Sequence, residues 1–180
     1  LDQIEFNKSK DLTFLKENKL DINKFNILYT GTLALKHNPD SIIKIANYNS
    51  NIEIVVIGIG SGYTNLKNNK NLPRNIKLLP LQPFEKMNKV LNSADIFLAM
   101  LNNDAGKYSV PSKILNYLCA GKPIILFAPK DNLASKIVKD SGSGAVFNSD
   151  NFDELNKFIN KLQNDKETRE LLAKNARNYA

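Results

Sequence analysis

The sequence predicts an α/β fold, a doubly wound parallel sheet with flanking helices. Two observations carry this. Short apolar runs such as Ile52-Glu53-Ile54-Val55-Val56-Ile57 and Ile124-Ile125-Leu126-Phe127 recur with little polar alternation, as strands buried on both faces require. Between them stand segments with apolar residues at helical spacing, the order that covers both faces of a parallel sheet with helices. In such sheets ligands collect outside the carboxyl ends of the strands, where loops meet helix starts. The loops after Thr30, Ile57, Leu79, Leu101 and Phe127 are therefore where function is sought.

Each element has its own signal. Residues 1–25 are polar and irregular, with a short helix expected over 11–19, and read as a connector to a domain spanning 26–180. Ile27-Leu28-Tyr29 is a strand ended by Gly31. A helix over 39–47 follows, with Pro39 at its start and Ile42, Ile43 and Ala46 on one face. The strand at 52–57 runs into Gly58-Ile59-Gly60-Ser61-Gly62, and an Asn-rich, poorly patterned stretch leads to Ile76-Lys77-Leu78-Leu79. A helix over 84–92 turns Met87, Val90 and Leu91 inward. A strand at 95–100 precedes the polar loop 102–109, and a helix over 111–120 ends at Gly121, a glycine stop. A strand at 123–127, a helix at 132–139, a strand at 145–147 and helices at 151–163 and 165–179 complete the chain. Charges on the last two, such as Asp165, Lys166, Glu167, Arg169 and Glu170, read as a solvent face.

Composition bounds the function. The 180 residues fit one domain, 42% hydrophobic and 24% charged, with no apolar run of the roughly 20 residues that a membrane span needs. The first residue is Leu1 with no leader after it, which reads as a fragment boundary rather than a secretion signal. Cys119, the only cysteine, sits in an apolar stretch and reads as a buried thiol, which points to a reducing, cytoplasmic setting. The net charge of +7 is carried by scattered lysines without the clustered cations and interleaved aromatics of a nucleic-acid surface. A phosphorylated small molecule, or a peripheral position at the inner face of an anionic membrane, suits it as well. His37 is the only histidine and has no Cys or His neighbours at ligand spacing, so no metal site is expected.

Two motifs invite chemistry. Gly58-Ile59-Gly60-Ser61-Gly62 falls short of a dinucleotide fingerprint, because Tyr63 stands where the third glycine belongs. No ribose-holding acid follows about 20 residues on either. A glycine-rich turn that lets the chain leave the sheet is the preferred reading. The second motif runs from Tyr108 to Ile125. There Pro111 and Ser112 open a helix whose first turn carries Lys113, so free amides, the positive dipole end and a cation could receive a phosphate. The same pattern also suits an ordinary helix packing Ile114, Leu115 and Leu118 into a core.

The segment Pro-Ser-Lys-Ile-Leu-Asn-Tyr-Leu-Cys-Ala-Gly-Lys-Pro-Ile-Ile, from Pro111 to Ile125, resembles the hallmark of the group 1 (family 4) glycosyltransferases of the GT-B fold. Tyr29-Thr30-Gly31-Thr32-Leu33 resembles the glycine loop that opens their C-terminal domain, and Ile54-Val55-Val56-Ile57-Gly58-Ile59-Gly60 their following strand and turn. Residues 75–84 resemble their strand and loop beside the base, and Ser93-Ala94-Asp95-Ile96-Phe97-Leu98 is similar to a further strand of theirs. Order and spacing agree over nearly the whole chain.

The resemblance implies a Rossmann-like C-terminal half of a GT-B fold, which holds a nucleoside diphosphate sugar as substrate, without cofactor or metal. It implies transfer to a glycan or lipid-linked acceptor in surface polysaccharide synthesis, with retention at the anomeric carbon. An N-terminal acceptor-binding domain is implied as partner, and the isolated half is expected to turn nothing over. Gly31 and Thr32 would approach the diphosphate, where a glycine leaves room. Leu81 and Gln82 would meet the base, Ser109, Val110, Ser112 and Lys113 the diphosphate and sugar, and Asn116 the ribose. Lys36, His37 and Lys107 are further phosphate candidates, and Asp104 lies in the same loop as Lys107. The sequence also departs from the family. Tyr108 and Asn116 stand where two glutamates are common, and Thr32 and His37 where Arg and Lys are common. Two other classes stay open: a non-catalytic nucleotide-binding or assembly module, and a sugar-nucleotide epimerase of related fold.

Overall fold

The computed structural model describes residues 4, 10–101, 110–148 and 151–180. The chain divides into two compact units, one of Ser9–Asp95 and one of Ile96–Ala180 together with Leu1–Lys8. Both have the layered α/β construction expected of a Rossmann-like fold, with every strand pairing parallel.

In the first unit β1 (Phe25–Thr32), β2 (Ile52–Ile59) and β3 (Ile76–Leu79) form the sheet, with β2 in the middle. The register pairs Gly31 with Gly58 and Thr32 with Ile59, so the carboxyl ends of β1 and β2 finish level. Helices α1 (Leu12–Glu17), α2 (Asp40–Tyr48), α3 (Ser61–Asn68) and α4 (Met87–Asn92) flank it. β2 is buried from Ile52 to Gly58, which explains its continuous apolar run. Residues ahead of β1 belong to this packing: Phe14 and Leu15 are fully buried, and α1 packs against α4. The Asp95 carboxylate closes the amino edge of the sheet, accepting from Lys10 Nζ at 2.6 Å and from the Asn26 amide at 2.7 Å.

The expected helix over 84–92 is a 3-10 turn, Phe84–Lys86, followed by α4. Phe84 lies 64% exposed, while Val90 and Leu91 are buried as expected. Helix α3 was not legible in the sequence. It contributes only Gly62 and Leu66 to the interior, and its Ser, Gly, Thr and Asn residues are weak helix formers.

In the second unit β4 (Ile96–Met100), β5 (Ile124–Phe127) and β6 (Gly144–Phe147) lie in that order. Helices α5 (Ser112–Ala120), α6 (Leu133–Asp140), α7 (Phe152–Asn164) and α8 (Lys166–Tyr179) pack around them. Asn132 caps α6, its side chain accepting from the Ala134 amide at 2.8 Å. The charges of 165–170 are not only a solvent face. Asp165 caps α8 through the Thr168 amide at 2.9 Å, and Arg169 donates to the carbonyls of Leu162 and Gln163 at the end of α7. Among the described residues no helix is long and apolar enough to cross a membrane.

Candidate functional site

Helix α5 begins abruptly. Pro111 is extended, with φ −62° and ψ 134°, and its carbonyl accepts the ordinary first-turn bond from Ile114 N–H at 3.0 Å. No side chain among the described residues caps this end, and the first turn holds no acid to offset the dipole. This is the positive end of the helix dipole, which favours anions. Val110 and Pro111 are half-buried at the entry and Ser112 is exposed. Lys113 and Asn116 are half-buried on the next turn. At three- and four-residue spacings Ser112, Lys113 and Asn116 share one side of the helix. Burial holds the Lys113 ammonium well below its ordinary pKa of 10.5, at about 8. An anion beside it would raise that value again.

The opposite side of α5 is fixed to the sheet. Ile114, Tyr117 and Leu118 are buried, and the Tyr117 ring stacks on Phe97 of β4 with centroids 4.0 Å apart and planes 6° from parallel. The Tyr117 hydroxyl donates to Leu98 O at 3.4 Å. Leu115, expected in the core, is 38% exposed. It lies about 100° round the helix from Ile114, off the stripe that Tyr117 defines. Cys119 is buried and unpaired in a disulfide, as its apolar setting suggested. The Gly121 stop is present in the left-handed conformation, with φ 61°.

In the other unit the chain after β1 is wired to the start of α3. Gly31 takes φ 101°, and the buried Tyr29 hydroxyl donates to Thr32 O at 2.7 Å, leaving the Thr32 side chain exposed. Leu33 O accepts from the amides of Gly62 at 2.9 Å and Tyr63 at 3.2 Å, while the Leu35 amide donates to Ser61 Oγ at 3.1 Å. A Cβ at Gly58 would lie 2.4 Å from Gly31 O, and one at Gly62 would lie 2.8 Å from Ala34 O. The glycines thus serve close backbone approach. The first amides of α3 are taken by the protein's own carbonyl, so this helix start is not open to an anion. The glycine run lets the chain leave the sheet, as read, but only Gly60 lies between β2 and α3.

The other candidates are scattered by comparison. Lys36 is exposed on a 3-10 turn, Leu35–His37, and His37 Nδ1 accepts from the Ala34 amide at 3.2 Å, a local structural role. Leu81 is 46% exposed beyond β3, and Gln82 donates to Pro80 O at 2.9 Å. Gly31, Thr32, Lys36, His37 and Leu81 belong to the first unit, whereas Val110, Ser112, Lys113 and Asn116 belong to the second. Asp104, Lys107, Tyr108 and Ser109 lie outside the described residues. Among the described residues no group of three or more His, Cys, Asp or Glu side chains could hold a metal ion.

Two supports of α5 had escaped the sequence. Tyr117 reads there as one more apolar core residue. Arg177, at the far end of the chain, donates to Cys119 O at 3.0 Å. A tyrosine one turn after the loop motif was a usable signal; the reach of Arg177 had none.

Comparison with known proteins agrees with this construction. The family model described as "Glycosyl transferases group 1" matches residues 11–179. WcaI of Escherichia coli (strain K12), named for glycosyl transfer in colanic acid biosynthesis, is 27% identical over 117 residues, covering 62% of this chain and 29% of its own. The crystal structure of the C-terminal domain of LpcC, a group 1 family protein of Francisella tularensis, superposes with a TM-score of 0.67. It is 13% identical, with 98% of this chain and 94% of that one covered. Alr3699/HepE of Anabaena, solved in complex with UDP and glucose, gives a TM-score of 0.72 at 17% identity, covering 93% of this chain and 46% of that one. At such identities the solved structures speak for the fold alone. The chain spans less than half the length of WcaI and of HepE. With nearly its whole length matched, the chain belongs to the group 1 glycosyltransferases.

Proposed function

We propose that this glycosyltransferase chain is a donor-binding half that receives the diphosphate of a nucleoside diphosphate sugar at the start of α5. The observation that carries the reading is a helix start with no acid in its first turn and with Lys113 half-buried there, pushed down to about 8 by burial. A diphosphate leaving group gains negative charge as the bond to the sugar breaks. Preorganised amides and a poorly hydrated ammonium stabilise that charge without reorganising. Val110 and Ser112 line the approach in this reading, and Asn116 takes the ribose. An amide can accept from and donate to a hydroxyl, with less strength than a charged carboxylate.

The acceptor is a glycan or lipid-linked sugar of a surface polysaccharide, the sugar is transferred with retention, and the acceptor domain comes from elsewhere in the protein. In this reading no cofactor takes part and the chain alone turns nothing over. A non-catalytic nucleotide-binding module is the second reading, favoured by Asn116 and Thr32 where the family commonly has Glu and Arg. Calorimetry with UDP and GDP tests the proposal. Binding to one of them, weakened about thirty-fold or more in Lys113→Ala with unchanged thermal melting, supports it. Absence of binding to either sinks it. Donor consumed without any acceptor would favour an epimerase instead.

A further inference from the structure

Helix α8 is an outlying element by its burial, yet its C-terminal half is fastened at two points. Of its residues only Ala176 is fully buried, while Leu171 is 58% and Tyr179 49% exposed. Its neighbours on either side of Ala176 reach inward. Arg177 Nη1 donates to Cys119 O at 3.0 Å, in the last turn of α5, and Asn175 Nδ2 donates to Gly142 O at 3.0 Å, in the turn between α6 and β6. Helix α8 packs on α5 more extensively than on α7. The last carbonyls of any helix need partners from outside it. In α5 the Gly121 amide answers Tyr117 O and Leu118 O, and Arg177 supplies the next donor with a positive charge at the negative end of the dipole.

We propose that Arg177 is a positioning residue for the donor site, acting through α5, and that docking of α8 and binding of the donor diphosphate are linked. The inference rests on the reading of the α5 start as the phosphate site. A nine-residue helix moves as a rigid rod. Its inner side packs on the sheet through Ile114, Tyr117 and Leu118 and its last turn is held by Arg177, so loss of that hold shifts the rod, its start included. Displacements near 1 Å at a distance from the chemistry can weaken a site strongly. Linkage is reciprocal: a ligand that needs α5 in place must in turn favour the docked α8. An element with so little buried surface is one that opens locally, so this bias is measurable.

The test combines calorimetry with hydrogen exchange on the protein, using whichever of UDP or GDP it binds. Arg177→Ala weakens binding about five- to tenfold, a typical coupling between linked sites. Arg177→Lys recovers most of the loss, and Leu171→Ala, on the same helix but exposed, binds as the parent does. Added nucleotide slows exchange of the α8 amides in the parent protein, which a merely stabilising contact would not do. If Arg177→Ala binds as tightly as the parent, or α8 exchange ignores nucleotide, the linkage is wrong. Should Arg177→Ala fail to fold, the exchange result in the parent decides alone. A parent that binds no nucleotide overturns the donor-site reading as well. A parent that binds, with Lys113→Ala weakened and Arg177→Ala unchanged, overturns only the linkage.

Discussion

Lys113 makes donor binding depend on pH in a calculable way. In the free protein its ammonium titrates at about 8, because burial disfavours the charge. Beside a diphosphate it returns toward its ordinary value of 10.5. Affinity is therefore level below about pH 7.5 and falls by nearly tenfold per unit above pH 8, where each binding event must also capture a proton. Between pH 7 and 9.5 the loss is about thirty-fold. Calorimetry with UDP or GDP across this range measures it. Repeating pH 9 in two buffers of different ionisation enthalpy counts the protons, and uptake close to one is expected. Lys113→Arg, whose charge does not titrate here, flattens the profile. Fold stability moves the other way. The unfolded chain keeps the Lys113 proton to about 10.4 while the folded one releases it at about 8, so between those values the unfolded state binds more protons. Stability contributed by this group thus rises with pH across that window. An affinity indifferent to pH from 7 to 9.5, with no proton uptake, would refute the placement of Lys113 beside the phosphate.

Three further outcomes concern the scaffold. Gly58→Ala places a Cβ 2.4 Å from Gly31 O, a backbone atom that must shift, and costs about 1–3 kcal/mol in urea denaturation. A variant as stable as the parent would show that the loop after β1 is looser than its hydrogen bonds imply. Tyr117→Ala removes the ring stacked on Phe97 and costs about 3–5 kcal/mol, while Tyr117→Phe, which loses only a long hydrogen bond, costs much less. Glu53 is buried, and desolvation raises its pKa from 4.5 against the opposing pull of Lys77 and the Asp21 amide. A raised carboxyl contributes stability fully below its unfolded pKa and loses it as pH rises. Glu53→Gln therefore gains melting temperature relative to the parent from pH 4 to pH 7, and a difference that stays constant over this range contradicts the assignment.

The parallel α/β class was legible because buried strands and amphipathic helices leave periodic traces, as in β2, β5 and α6. The Pro111–Gly121 helix was legible for the same reason, with a glycine stop that the structure reproduces at φ 61°. What escaped depends on contacts distant in sequence. Helix α3 is held by Leu33 O and a few glycine-enabled approaches rather than by an apolar stripe, so no periodicity announced it. Leu115 was assigned inward because adjacent apolar residues cannot be sorted by type alone; stacking of Tyr117 on Phe97 sets the rotation of α5. At the candidate site, the helix start itself was readable from Pro111, Ser112 and Lys113. That the start of α3 is self-satisfied required knowing where Leu33 O points.

The most direct measurement is diffraction from crystals of this protein grown with a nucleoside diphosphate. The account predicts the diphosphate over the amides of Ser112 and Lys113, with the Lys113 ammonium in hydrogen-bonding reach of a phosphate oxygen. A diphosphate bound elsewhere with the start of α5 left empty would contradict it.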